Sequence, residues 1–139
     1  MKFTLPWLKD HLDTEATASR IGEALTSLGL EVEGIDDRAA PLDGFVVGHV
    51  SAARPHPQAD KLRLCTVDTG SATLEVVCGA PNARAGIKGV FAREGLVIPE
   101  SGEVLKRASI RGVVSQGMLC SARELKLGTE HDGIIELPE

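Results

Sequence analysis

Lys61 and Arg63 close the segment ARPHPQADKLRL, and they are the side chains of this sequence whose setting points most directly to phosphate. Pro55 and Pro57 bracket His56, so the chain is expected to be extended there and unable to continue a ladder. Asp60-Lys61 then leads straight into a strand pattern. Two readings stand side by side. Lys61 and Arg63 are presented at a rim where phosphates are met, or Asp60 and Lys61 form a local surface ion pair of little worth. No catalytic set competes with them. Ser115, Ser121 and His131 supply a hydroxyl and a base, but no G-x-S-x-G elbow surrounds them, and Ser115-Gln116-Gly117-Met118 reads as a turn entering a buried strand. His49, His56 and His131 lack metal-ligand spacing. The glycines at 86–89 and 112–117 form neither a P-loop nor a dinucleotide fingerprint.

The whole chain carries a formal charge of −5 over 139 residues, which argues against a nucleic-acid partner until its distribution is followed. Residues 1–39 hold four bases against eight acids, whereas residues 54–126 hold eleven bases against seven acids. A net charge of +4 on the middle segment can touch a few phosphates and is too weak to hold nucleic acid alone at physiological salt. Cys65, Cys78 and Cys120 are odd in number and widely spaced, so buried reduced thiols are expected, as in a cytoplasmic protein. The opening MKFTLPWLKDH has charges at Lys9 and Asp10 and no signal-peptide apolar region. No run approaches the roughly 18 apolar residues of a membrane span.

The elements that must position these residues fall into two groups. Residues 4–12 read as a short helix capped by Thr4, with Pro6 in its first turn. A second helix is expected over 14–28, capped by Asp13 or Thr14, striped by Ala18, Ile21, Leu25 and Leu28, and ended by Gly29. LEVEGI at 30–35 alternates like a short strand. DDRAAPLDG at 36–44 has linker composition, and a boundary is placed so that 1–39 form a helical segment and 40–139 a second domain. Strands are expected over 45–53, 62–70, 73–80, 89–99, 103–112 and 133–137, with one or two helical turns at 121–127. Short strands punctuated by Gly and Pro point to a closed barrel or sandwich and away from a βαβ fold.

HPQADKL, TVDTG, VVCGAPNARAG and SIRGVVSQGMLCSARELKL follow one another in this order, and over about residues 44–138 they resemble the tRNA-binding (EMAPII-like) OB domain of several synthetases and free-standing tRNA-binding proteins. MKFTLPWLKDHL, the capped helix and GLEVEGI resemble the opening of bacterial phenylalanyl-tRNA synthetase β subunits. Cys78 and Ala80 in VVCGAPN and the ending LCSARELKLGTEHDGIIELP are similar to that subunit too.

The resemblance implies a mainly β fold, a five-stranded OB barrel with an N-terminal two-helix segment. It implies a longer parent in which residues 1–39 belong to a discontinuous domain. It also implies a non-catalytic module of a class II ligase that joins phenylalanine to tRNA with ATP and Mg²⁺, an (αβ)₂ heterotetramer whose catalytic site lies in the α subunit. No cofactor is expected in this segment, and neither DNA nor membrane as partner. Lys61, Arg63, Asn82, Arg111, Ser115, Gln116, Met118 and Ser121 match positions of that family's RNA face. Their ordinary readings stay open: Asn82 as a turn residue and Met118 as core. A free-standing tRNA-binding or chaperone-like protein and a purely bracing domain are the alternatives. Phe45 and Phe91 sit in apolar strand contexts, so stacking on bases is not expected and contact should run through backbone and shape.

Overall fold

The computed structural model describes residues 1–138, which divide between Arg38 and Ala39 into two compact units. In the first unit Thr4 caps α1 (Leu5–Lys9), its hydroxyl accepting the Trp7 N–H at 3.3 Å. The second helix, α2 (Ala18–Ser27), starts four residues later than expected. The Thr14 hydroxyl accepts the Ala16 N–H and turns the chain there, and Thr17 becomes the cap, accepting from Arg20. Gly29, at φ 84, ends α2 in a Schellman turn in which the Leu30 N–H reaches Leu25 O. The strand expected at 30–35 does not form. It has no partner strand in this unit, and Ile35 and Val32 instead lie over Gly22, where no Cβ intervenes. Gly22 is the one buried residue of this unit; Trp7 is 53% and Leu28 78% exposed.

The second unit is mainly β. After a 3₁₀ turn (Ala40–Leu42) come β1 (Val46–His56), β2 (Ala59–Asp68), β3 (Thr73–Cys78), β4 (Lys88–Arg93), β5 (Ala108–Ile110), β6 (Val113–Ser115) and β7 (Gly117–Leu119). Five of them form one antiparallel sheet in the order β3-β2-β1-β4-β7, and β5 pairs with β6 as a separate hairpin. The sheet curls until its two edges meet. There the Gln116 N–H donates to Glu75 O at 2.9 Å, and Gln116 Oε1 accepts from the Glu75 N–H. Ser115 Oγ accepts from Val77 N–H at 3.1 Å and donates to Gly117 O. Two side chains thus satisfy β3 backbone donors that a regular ladder would satisfy with carbonyls.

Several sequence expectations change in this unit: the strands expected over 89–99 and 103–112 shorten to β4 and β5, and β6 has no counterpart among the expected strands. The ladder continues through Pro55, which stands opposite Arg63. β1 pairs with β4 only over Val46–His49, so at Pro55 it has become an edge strand, where a missing N–H costs little. Residues 121–127 close as hydrogen-bonded turns around Lys126 (φ 55), with Leu127 N–H reaching Ala122 O, and make no helix. Residues 133–137 hold a single bridge, Leu137 to Lys88, rather than a strand.

The interior centres on Phe91, 1% exposed among Val50, Cys65, Val67, Val76, Cys78 and Leu119. A second cluster gathers Ala92, Ile98, Cys120 and Leu125. The three cysteines are buried and reduced. Loss of hydration pushes the Cys65 thiol up to about 11 and Cys120 to about 12, and it raises Cys78 as well, so none is a ready nucleophile.

Asn82 fastens the end of the barrel. Its Nδ2 donates to Ile134 O at 2.8 Å and its Oδ1 accepts the Ile134 N–H. It also donates to Glu136, which meets Arg84 through both carboxylate oxygens. Hydrogen bonds from Arg84, then from Asn82, hold the Glu136 carboxyl below its ordinary range. A depressed folded-state value means that the stabilisation is complete above the ordinary carboxylate range and is lost as pH falls through the depressed value. Glu136→Gln should therefore flatten the acid side of a melting-temperature profile, and a variant that keeps the full acid dependence would contradict this assignment.

Candidate nucleic-acid interface

The β1–β2 hairpin turns at Pro57-Gln58 and sends β2 out past Lys61 and Arg63, both exposed. Alternate residues of a strand share a face. The face that carries Val67 and Cys65 into the core therefore carries Arg63 at its end, and Lys61 follows in a bulge of residues 60–62 that lies between the Pro55–Arg63 and His56–Ala59 pairs, beside the hairpin turn. Neither cation has a carboxylate partner among the described residues, and Asp60 and Lys61 make no ion pair. Nearby Arg54 is neutralised by Glu75 at 2.7 Å.

A third cation is brought in from 48 residues further along the chain. Arg111 and Gly112 are the two central residues of the β5–β6 turn, with φ 47 and 83, the positive pair of a type I′ hairpin. Arginine in this region costs roughly 1–2 kcal/mol against glycine or asparagine. The Arg111 guanidinium donates to Gln58 O at 3.2 Å, so the tip of the second hairpin touches the turn of the first. His56, 4% exposed, makes the same connection from beneath: Nδ1 accepts the Gln58 N–H at 3.0 Å, and the other ring nitrogen lies 3.1 Å from Ile110 O. With Nδ1 an acceptor, the neutral ring carries its proton on Nε2 and donates to that carbonyl.

The other expected site residues lie elsewhere. Ser115 and Gln116 are engaged in barrel closure, and Asn82 in the C-terminal fastening. Met118 and Ser121 line a groove of about 470 Å³ that also presents Glu100, Glu124 and Asp132. Ser121 donates through both N–H and Oγ to Glu124, and Arg123 pairs with Glu100. That groove carries more carboxylate than free cation and is poorly matched to phosphate. Lys61, Arg63 and Arg111 are the expected residues that the fold gathers at one end. Gln58 and His56 join them there. Neither was expected at the site, because a buried imidazole and a turn amide leave no spacing pattern in sequence. Phe91 is enclosed, Phe45 is half-buried, and the described barrel surface has no aromatic platform.

A closed antiparallel sheet of five strands in this order, with its first hairpin and the long connection before its last strand meeting at one end, defines an OB-fold domain of the kind that binds oligonucleotides there. Residues 45–139 match the family described as "Putative tRNA binding domain". The chain belongs to that tRNA-binding domain family. Over 137 residues it is 64% identical to the phenylalanine–tRNA ligase β subunit of Paramagnetospirillum magneticum, which covers 99% of this chain and 17% of that one. The β subunit of Rhodospirillum rubrum is 62% identical over 138 residues, with the same coverage. The chain thus spans less than a fifth of the length of these relatives. Among solved structures, a MetRS related protein from Pyrococcus horikoshii superposes with a TM-score of 0.52 at 27% identity, over 76% of this chain and 91% of that one. No described helix is long and apolar enough to cross a membrane.

Proposed function

We propose that this chain is the non-catalytic, tRNA-contacting module of a phenylalanine–tRNA ligase β subunit, and that Lys61, Arg63 and Arg111 meet the phosphate backbone of tRNA. The observation that carries the reading is the gathering of three cations, without acid partners among the described residues, at the end by which OB barrels take up oligonucleotides. Contact through phosphates and shape suits folded RNA and needs no stacking platform. Such contact is weak alone and gains weight through effective concentration when other parts of the enzyme hold the same tRNA. The assembled ligase, with its α subunit, would supply the site that uses ATP and Mg²⁺; this module carries neither. The test is an NMR titration of the chain with tRNA at low salt. Shifts should gather on residues 58–63 and 110–112. Shifts confined to the groove around Ser121 and Glu124 would overturn the assignment, and no shifts at all would favour a bracing role.

Residues 1–39, in the same reading, are one part of a domain completed by a later segment of the β subunit, and the exposed Trp7, Leu12, Leu28 and Leu30 are the face that segment covers. Leu28→Ala should change the stability of this chain by less than about 0.5 kcal/mol, as for any exposed residue. In the whole β subunit the same change should lower the melting temperature measurably. Equal effects in both settings would count against the covered face.

A further inference from the structure

We infer that His56 is a positioning residue for this interface, a neutral imidazole latch that makes the β1–β2 and β5–β6 hairpins move as one and so fixes Arg111 relative to Lys61 and Arg63. The inference rests on the tRNA-contact reading above for its purpose and on the hydrogen bonds alone for its mechanism. The two hairpins belong to different sheets and share no ladder. Three hydrogen bonds meet here: Gln58 N–H to His56 Nδ1 within the first hairpin and, across to the second, His56 Nε2–H to Ile110 O and Arg111 Nη1–H to Gln58 O. Two of the three run through one ring that is almost wholly buried. Each ring nitrogen serves a different hairpin, so neither bond can be replaced by water without opening the site. The third bond ends on the residue that pays for a left-handed backbone at the hairpin tip. Without the ring, Arg111 would still be present but free to sample positions away from Lys61 and Arg63. Phosphates would then meet Arg111 separately from Lys61 and Arg63 rather than all three as one arranged set.

The test uses His56→Phe, which keeps the volume and removes both nitrogens, and His56→Asn, whose short amide can accept from Gln58 N–H but cannot span to Ile110. Backbone hydrogen exchange is followed by NMR in each, beside thermal unfolding and tRNA affinity with and without Arg111→Ala. In His56→Phe the amides of Gln58 and of residues 111–113 should exchange roughly fivefold faster or more, the loss expected for a hydrogen bond worth about 1 kcal/mol. Arg111→Ala should weaken tRNA binding about tenfold in the parent but less than about twofold in His56→Phe, the mark of coupled groups. His56→Asn should protect the Gln58 amide while the exchange at 111–113 stays fast. Additive affinity losses, with lower stability but an unchanged Arg111 increment, would show a merely structural histidine and overturn the inference. Absence of parental binding at low salt would instead defeat the interface reading. The exchange data would then decide the latch by themselves: joint loosening supports it, and unchanged exchange in either hairpin rejects it.

Discussion

Gly117→Ala is expected to cost about 3 kcal/mol, at the upper end of what overpacking a core usually costs. A Cβ at this position falls on the ring of Phe91 and 2.6 Å from the carbonyl oxygen of Ala92. The ring cannot retreat easily. On another side it is met by Gly48, whose added Cβ would come within 3.0 Å of the Phe91 Cβ and within 2.6 Å of Val67. Backbone at two positions thus walls the largest fully buried side chain of the barrel. Against a total stability of about 5–15 kcal/mol for a domain, such a loss is large. Urea unfolding should show a clear fall in midpoint, and Phe91→Leu should recover part of it in the Gly117→Ala background but only destabilise by itself. Gly34→Ala is the control, because nothing lies within 4 Å of the added carbon and its backbone is not left-handed. A Gly117→Ala chain that unfolds at the parental midpoint would refute this packing account.

The second large effect concerns binding. Lys61→Ala with Arg63→Ala should remove most of the affinity for tRNA, at least about tenfold at low salt, with little change in unfolding. The side chains are exposed and have no acid partners among the described residues, so their removal breaks no ion pair there. Each phosphate contact released should also reduce the salt dependence, by a log–log slope of roughly 0.9. Glu100→Gln on the acid-lined groove is the matched control and should leave tRNA affinity within about twofold of the parent, since its carboxylate serves Arg123 and not the cation cluster.

Much of the barrel was legible because its strands are short and their ends are marked by residues with one conformational use. Gly70 and Gly102 take positive φ between strands that the sequence suggested, whereas Gly112, expected as the last residue of a strand, sits at positive φ in the β5–β6 turn. Where local pattern misled, a specific interaction overrode it. Helix α2 loses its expected first turn to the Thr14 hydroxyl, and Pro55 stays in a ladder because its free side has no neighbour. Residues 30–35 have the alternation of a strand but no edge to join, so the pattern alone could not make one. The candidate site was legible only in part, for a related reason. Lys61 and Arg63 are cations in a loop-to-strand setting, which a sequence displays openly. Ser115 and Gln116 look like surface polar residues until the sheet curls and sets them against β3 residues 38 and 41 positions away. The latch between the hairpins is equally non-local, since His56 and Ile110 lie 54 residues apart. The net charge of −5 also hid the site, because the acid excess is concentrated outside the cation-bearing segment.

The affinity of this chain for tRNA, measured from low to physiological salt, puts the central claim to its most direct trial. Three phosphate contacts through Lys61, Arg63 and Arg111 predict weak binding whose logarithm falls with log salt at a slope of about −2 to −3, dropping to about −1 in the Lys61→Ala, Arg63→Ala variant. Binding that ignores salt, or a slope that the two substitutions leave unchanged, would contradict the account.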